Sequence, residues 1–255
     1  MTALITGASK GIGKEFVVEF AKNNIEVIMV ARSKKLLTEL AQFVEKKYKS
    51  KTHVISTDLS TQNAAEEVYQ AVNKEGLVVN YLVNNAGFGD FGEFANSDLK
   101  KQSDMINLNI LTLTKLTHLF VQDMKKHKQG KVLNLASVAA FQPGPSMSVY
   151  FATKHFVLAF SEAIHEELRP YNIQVTALCP GPTESDFGQV AGFQMLKNPK
   201  PNRFPTAKNV AQFGFKKMMK GEAIAIHGFI NIVLSTLVRF VPRSIVRKIV
   251  RYRIK

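Results

Sequence analysis

The sequence predicts an α/β protein built on one doubly wound parallel sheet with helices on both faces. Three observations carry this expectation. Short apolar runs alternate along the chain with longer segments whose apolar residues recur at helical spacing. The short runs are apolar throughout rather than at every second residue, as strands buried on both faces must be. A glycine-rich turn, Thr6-Gly7-Ala8-Ser9-Lys10-Gly11-Ile12-Gly13, joins the first run to the first helical segment.

In chain order, strands are expected at 2–6, 26–30, 53–57, 81–83, 131–136, 174–179 and 223–226. Helices are expected at 12–23, 35–49, 63–74, 104–127, 149–169 and 207–219. Each pair of parallel strands needs a crossover, and crossovers are right-handed in nearly all proteins. Helices therefore cover both faces, and ligands belong at the carboxyl ends of the strands. No internal repeat or linker interrupts this pattern, so residues 1–228 read as a single domain.

The composition narrows the class further. A chain of 255 residues suits one large domain, and 45% hydrophobic residues exclude a disordered chain. The single cysteine, Cys179, excludes an intrachain disulfide and reads as a small apolar strand residue, a reactive thiol being the open alternative. The first seven residues already form a strand and its turn, without the regions of a signal peptide, so a cytoplasmic location is expected. The net charge of +14 points to anionic partners: a phosphate-bearing cofactor, acidic lipid, an acidic carrier protein or nucleic acid.

The glycine turn suggests the first of these. Gly7 permits a tight turn, Gly11 lets backbone approach a pyrophosphate, and Gly13 allows helix and strand to pack closely. The amide groups of Ser9, Lys10 and Ile12 lie where a helix N-terminus attracts an anion. An acid after the second strand would bind an adenosine 2′-hydroxyl. Here that strand runs into Ala31-Arg32-Ser33, with no acid. Arg32 and Lys10 suit a 2′-phosphate, which favours NADP(H) over NAD(H). Asp58 follows the third strand and either meets the adenine ring or caps the next helix.

Tyr150 and Lys154 are four residues apart on an expected helix and so share a face. Ser137 follows the strand at 131–136, at the rim where ligand is expected. Asn84-Asn85-Ala86-Gly87 follows another strand, and Asn109 lies in the long helix. These residues, with Thr6-Gly7-x-x-x-Gly11-x-Gly13, Tyr150-Phe151-Ala152-Thr153-Lys154 and Pro180-Gly181, resemble the short-chain dehydrogenase/reductase family of the single-domain type. Order and spacing both agree, including the thirteen-residue step from Ser137 to Tyr150. The resemblance covers about residues 1–190 well and the rest loosely.

The resemblance implies a Rossmann-like sheet of about seven strands in the order 3-2-1-4-5-6-7. It implies NADP(H)-dependent hydride transfer between nicotinamide and a carbonyl or alcohol. Tyr150 would be the general acid/base. Lys154 would lower the Tyr150 pKa and hydrogen-bond the nicotinamide ribose. Ser137 would hydrogen-bond the substrate oxygen, and Asn109 would hold a relay water, Asn107 being the alternative for that place. Asn84, Asn85, Ala86 and Gly87 would support the sheet and the cofactor edge rather than do chemistry. Pro180, Gly181 and Thr183 would lie over the nicotinamide. The family's habit also implies a homo-oligomer, a dimer or tetramer.

Residues 184–205 read as an irregular substrate lid whose apolar side holds Phe187, Phe193, Met195, Leu196 and Phe204. A hydrophobic substrate and a lid that packs only on its own protein stand as equal readings. The remaining 229–255 form a C-terminal extension. Its apolar stretch at 229–241 is too short to span a bilayer. Seven basic residues and no acid fall between Arg239 and Lys255, and without them the net charge would be +7. Ile245, Val246, Ile249, Val250 and Ile254 recur beside Arg243, Arg247 and Arg251, as in a basic amphipathic helix. Three uses stay open: an anionic membrane face, a subunit contact or cleft cover, and an acidic carrier protein. No module for nucleic acid is present.

The leading expectation is thus an NADP(H)-linked carbonyl reductase or alcohol dehydrogenase. A 3-oxoacyl or other lipid reductase at a membrane surface, or acting on a carrier, is the alternative within enzymology. A dinucleotide-binding scaffold without turnover is the alternative outside it.

Overall fold

The computed structural model describes residues 1–192 and 204–254. Seven parallel strands form one sheet in the order β3-β2-β1-β4-β5-β6-β7. They are β1 (Thr2–Thr6), β2 (Glu26–Ala31), β3 (Thr52–Ser56), β4 (Val79–Asn84), β5 (Gly130–Leu135), β6 (Ile173–Cys179) and β7 (Ile224–Ile226). All seven match expected strands, and the order is the one the family resemblance implied.

Side-chain alternation explains the layers. Ala3 and Ile5 of β1, with Val27 and Met29 of β2, enter one core. Leu4, Ile28 and Val30 point into the other. Both faces of the sheet are therefore buried, which is why these strands read as unbroken apolar runs. On the first face lie α1 (Gly11–Lys22), α2 (Lys34–Tyr48) and α8 (Ala207–Lys220), through Phe16, Phe20, Leu37 and Val210. On the second lie α3 (Ala64–Lys74) and α5 (Leu113–His127), with Val68, Leu116 and Phe120, and the end of α6 (Ser148–Leu168).

The long helix expected at 104–127 differs from that reading. It begins earlier, as α4 (Leu99–Ile106), and passes through a widened π-helical turn at Asn107–Thr112 before α5. Such turns interrupt the 3.6-residue repeat, often at functional sites. The lid also departs from expectation: α7 (Phe187–Ala191) is helical, not irregular. Its neck is closed by the amide of Glu184, which donates to the Pro205 carbonyl at 3.0 Å. Phe193, Met195 and Leu196 lie outside the described residues.

The C-terminal extension is helical, with α9 (Phe229–Leu237) and α10 (Arg243–Ile254). It packs on the domain instead of standing apart. A Cβ on Gly181 would lie 2.5 Å from Nδ2 of Asn231. Val246 and Val250 are buried with Ala139, Met147 and Phe151. Among the described residues, no helix is long and apolar enough to cross a membrane.

Candidate active site

The sheet order reverses between β1 and β4, and the glycine turn leaves β1 at that point. Gly7 has φ +64°, and a Cβ there would lie 2.7 Å from Nδ2 of Asn85. At Gly13 a Cβ would come within 2.2 Å of the Gly7 carbonyl oxygen, so α1 approaches the turn too closely for any side chain. Asn85 is part of this construction. Its Nδ2 donates to the carbonyls of Thr6 (2.8 Å) and Gly7 (3.3 Å). The Thr6 hydroxyl in turn accepts from the amides of Asn85 and Ala86, both at 2.9 Å. Asn85 and Ala86 thus clamp the turn to β4, which leaves the Asn85 amide committed to the protein.

The turn fits the diphosphate of a dinucleotide. Lys10 is the N-cap of α1, no side chain caps the helix, and no acid lies in its first turn. The leading amide groups are therefore free to meet an anion. Gly11 is open: the nearest atom to a Cβ there is Cβ of Ser185, at 3.6 Å. Ser9 and Ile12 are half-buried beside it. The Arg32 guanidinium is 79% exposed, 4.0 Å from Asp58. Asp58 accepts from the amide (3.0 Å) and hydroxyl (2.8 Å) of Ser60. Burial raises its pKa, but the Ser60 hydrogen bonds and the Arg32 charge outweigh that and hold it below the usual value. Asp58 does not cap α3, whose N-cap is Asn63. Lys10 reaches Asp186 at the start of the lid, 3.4 Å away.

At the other side of the reversal lie the residues suited to proton transfer. Ser137 follows β5 in extended conformation and caps a short turn, accepting from the Ala139 amide at 3.1 Å. Its hydroxyl donates to the Pro180 carbonyl at 3.4 Å and stands near enough to Tyr150 to favour the ionised phenol. Lys154 is 5% exposed and donates to the Leu135 carbonyl at 2.6 Å. Its Nζ is 5.7 Å from the centre of the Tyr150 ring. Asn109, within the widened turn, is buried; its amide donates to the Phe88 carbonyl (3.0 Å) and the Thr153 hydroxyl (3.1 Å), and its Oδ1 accepts from the Phe88 amide (3.2 Å). Asn107 is only half-buried, so these contacts single out Asn109 of the two. Gly87 fills the angle between them: a Cβ there would lie 2.9 Å from Asn109 Oδ1 and 3.8 Å from Lys154 Nζ.

Burial pushes the Tyr150 hydroxyl up to about 12, and the nearby Ser137 hydroxyl opposes this without overcoming it. Burial pulls Lys154 down to about 8, with Cys179 acting in the other direction. Desolvation disfavours the charged form of both groups. Cys179 is itself pushed up to about 12 by burial, as suits a strand residue without thiolate character.

After β6, the Pro180 carbonyl accepts from the Val138 amide at 3.0 Å, which ties the Pro180-Gly181 segment to Ser137's turn. The Thr183 hydroxyl donates to the Gly181 carbonyl at 3.0 Å. The lid's Phe187 stands against Tyr150, with ring centres 5.2 Å apart.

Asn84 was singled out by the sequence, but the residues linked to it, Thr117, Asn134 and Ser161, escaped it. Asn84 Nδ2 donates to Thr117 and to Asn134 Oδ1, both at 2.9 Å, and Asn134 Nδ2 donates to Ser161 at 2.9 Å. This buried chain joins β4, β5, α5 and α6 beneath Ser137 and Lys154. One signal was available: Asn134 is a lone amide in an apolar strand. Thr153 stood inside the quoted Tyr150–Lys154 motif without a role of its own, and Asn231 carried no signal. A separate cleft of about 490 Å³ opens on another side of α6, between Phe151, Ala152 and His155 and the guanidinium groups of Arg243 and Arg247.

The comparisons agree with this geometry. A human protein named very-long-chain 3-oxoacyl-CoA reductase is 30% identical over 253 residues, 96% of this chain and 78% of its own length. Other reductases of that name are matched over 58% of their length, so the chain spans little more than half of those relatives. A short-chain dehydrogenase from Sphingobium yanoikuyae, solved in complex with NADPH, superposes with a TM-score of 0.83 at 26% identity, covering 95% of this chain and 97% of that one. The bulky-bulky ketone specific alcohol dehydrogenase from Comamonas testosteroni gives 0.79 at 28% identity, over 94% and 92%. The short chain dehydrogenase family model matches residues 1–194, the stretch that contains the glycine turn, Ser137, Tyr150 and Lys154, and the chain belongs to that family of oxidoreductases.

Proposed function

We propose that the protein is an NADP(H)-dependent reductase that transfers hydride between nicotinamide and the carbonyl carbon of a hydrophobic substrate. The observation that carries the reading is the meeting of Ser137, Tyr150 and a buried Lys154 at the strand ends, with the Lys154 amine 5.7 Å from the centre of the Tyr150 ring. Arg32 and Lys10 would hold the adenosine 2′-phosphate, and the uncapped start of α1 the diphosphate. The cofactor supplies the hydride.

The chain's own residues supply the rest. As the carbonyl carbon gains hydride, its oxygen gains a proton. Tyr150 carries that proton at neutral pH, since its pKa stands at about 12. A protonated phenol suits the reducing direction, where the group must donate. Ser137 offers a second hydrogen bond to the same oxygen, where negative charge develops. Lys154 would hold the nicotinamide ribose and, while protonated, would ease the loss of the Tyr150 proton. Asn109 holds the far side of this group by gripping Phe88 and Thr153.

Within that class a 3-oxoacyl thioester is the substrate favoured, because relatives bearing the name of such a reductase match nearly the whole chain. Phe187 beside Tyr150 supports an apolar chamber. The test is NADPH oxidation against long-chain 3-oxoacyl thioesters and bulky ketones. Turnover of the thioesters with Tyr150→Phe inactive is the expected result. NADPH binding without turnover of any carbonyl would instead identify a dinucleotide-binding scaffold.

A further inference from the structure

The two C-terminal helices present apolar residues that the domain leaves uncovered. Phe229 is 78% exposed, Ile230 73% and Phe240 80%, and Val233, Leu234 and Leu237 are also exposed. These residues form one ridge along α9 and the short turn at Val238–Phe240. Exposed apolar patches of this kind on soluble domains mark interaction surfaces.

On α10 the apolar residues divide between two faces. Val246 and Val250 are buried against Met147 and Phe151, in the cluster that also holds Tyr150 and Phe187. Ile245, Ile249 and Tyr252 remain exposed. The sequence assigned Ile245, Val246, Ile249 and Val250 to a single stripe; the structure shows that half of it is spent on the protein and half is turned outward. One helix thus covers the site from within and offers a second apolar face outside.

The charges choose the partner. Arg239, Arg243, Arg247, Lys248 and Arg251 join no ion pair among the described residues, and no acidic residue lies between 239 and 255. A second copy placed face to face on this surface would set these cations against their own images. An apolar ridge flanked by unpaired cations matches a bilayer whose headgroups are anionic and whose interior accepts aromatic and branched side chains. The helices are too short and too polar to cross it, so the fit is to the surface.

We propose that the ridge of Phe229, Ile230, Val233, Leu237 and Phe240, with the outer face of α10, docks on an anionic membrane surface. The docked elements are the same ones that meet the active site: Asn231 of α9 lies on Gly181, and Val246 and Val250 of α10 lie in the Tyr150 cluster. Binding therefore brings the membrane to within one helix of Tyr150. The inference stands on the surface alone and does not require the proposed reaction.

Sedimentation of the full chain tests it. The probes are vesicles of phosphatidylcholine alone and vesicles containing a third phosphatidylglycerol, at low and high salt. The chain is expected to sediment with the anionic vesicles at low salt and to be released in part by high salt. Phe229→Ser with Ile230→Ser and Phe240→Ser should reduce binding by at least about tenfold. An unchanged helical circular dichroism spectrum and melting temperature would show that the variant is folded. No sedimentation of the wild type at low salt would overturn the proposal. So would a folded triple variant that binds as well as wild type, or one whose only change is a smaller oligomer in analytical ultracentrifugation.

Discussion

The two ends of the dinucleotide cleft are built on opposite physical terms. At the adenosine end the cations stand in solvent: Arg32 is bound only loosely to Asp58, and Lys10 reaches across to Asp186. At the hydride end the ionisable groups are desolvated, and burial shifts both Tyr150 and Lys154 away from their charged forms. Exposed cations choose a ligand by long-range attraction and are screened by salt. Buried groups hold a proton in place and respond to pH instead. Under the proposed function, the first end would select the cofactor and the second would hold the transferred proton.

That contrast can be broken most severely at the buried end. Tyr150→Phe keeps the ring against Phe187 but removes the proton, so carbonyl reduction should fall by roughly 10²–10⁴-fold. NADPH affinity, followed by fluorescence titration, should stay near that of wild type. Loss of both together would show that Tyr150 serves binding rather than proton transfer.

At the exposed end the effect should be smaller and selective. Arg32→Ala should weaken NADPH by about ten- to a hundredfold, the worth of a charge-assisted contact. NADH affinity should change little. Equal losses for the two would remove Arg32 from the 2′-phosphate site.

The pH profile sharpens the comparison next. Lys154 loses its charge as pH rises through about 8, well below the ordinary lysine value. Tyr150 stays protonated over that range. Reduction should therefore decline above pH 8, by about tenfold per unit if the ammonium is required. A profile flat to pH 10 would mean that Lys154 works without its charge. The smallest effect belongs to Asp58→Asn. An exposed pair at 4.0 Å contributes little, and freeing Arg32 should tighten NADPH by less than about threefold. A large loss would place Asp58 in direct contact with the cofactor.

The residues of the site were legible in the sequence to different depths. Gly7, Gly13, Tyr150 and Lys154 were legible because local geometry demands them: a turn with positive φ, a helix with no room for a Cβ, and a four-residue step on one helix. Asn109 was legible only through family spacing, since the widened turn that lets it reach Phe88 and Thr153 interrupts the helical repeat without any glycine or proline to mark it. Asn134 and Ser161 were missed because their value lies in each other, and no periodicity links residues 27 positions apart. The sequence placed Phe187 in the segment 184–205, but its contact with Tyr150 follows from that segment's path.

By itself the sequence determined the seven strands, most of the helices between them and the glycine turn that joins β1 to α1, because burial on two faces and backbone sterics act over a few residues. Tertiary structure decided the rest. It set the Tyr150 and Lys154 pKa values, because desolvation depends on every group packed around them. It also divided the apolar stripe of α10 between the protein and the outside, because a helix pattern records which residues avoid water and not what will cover them.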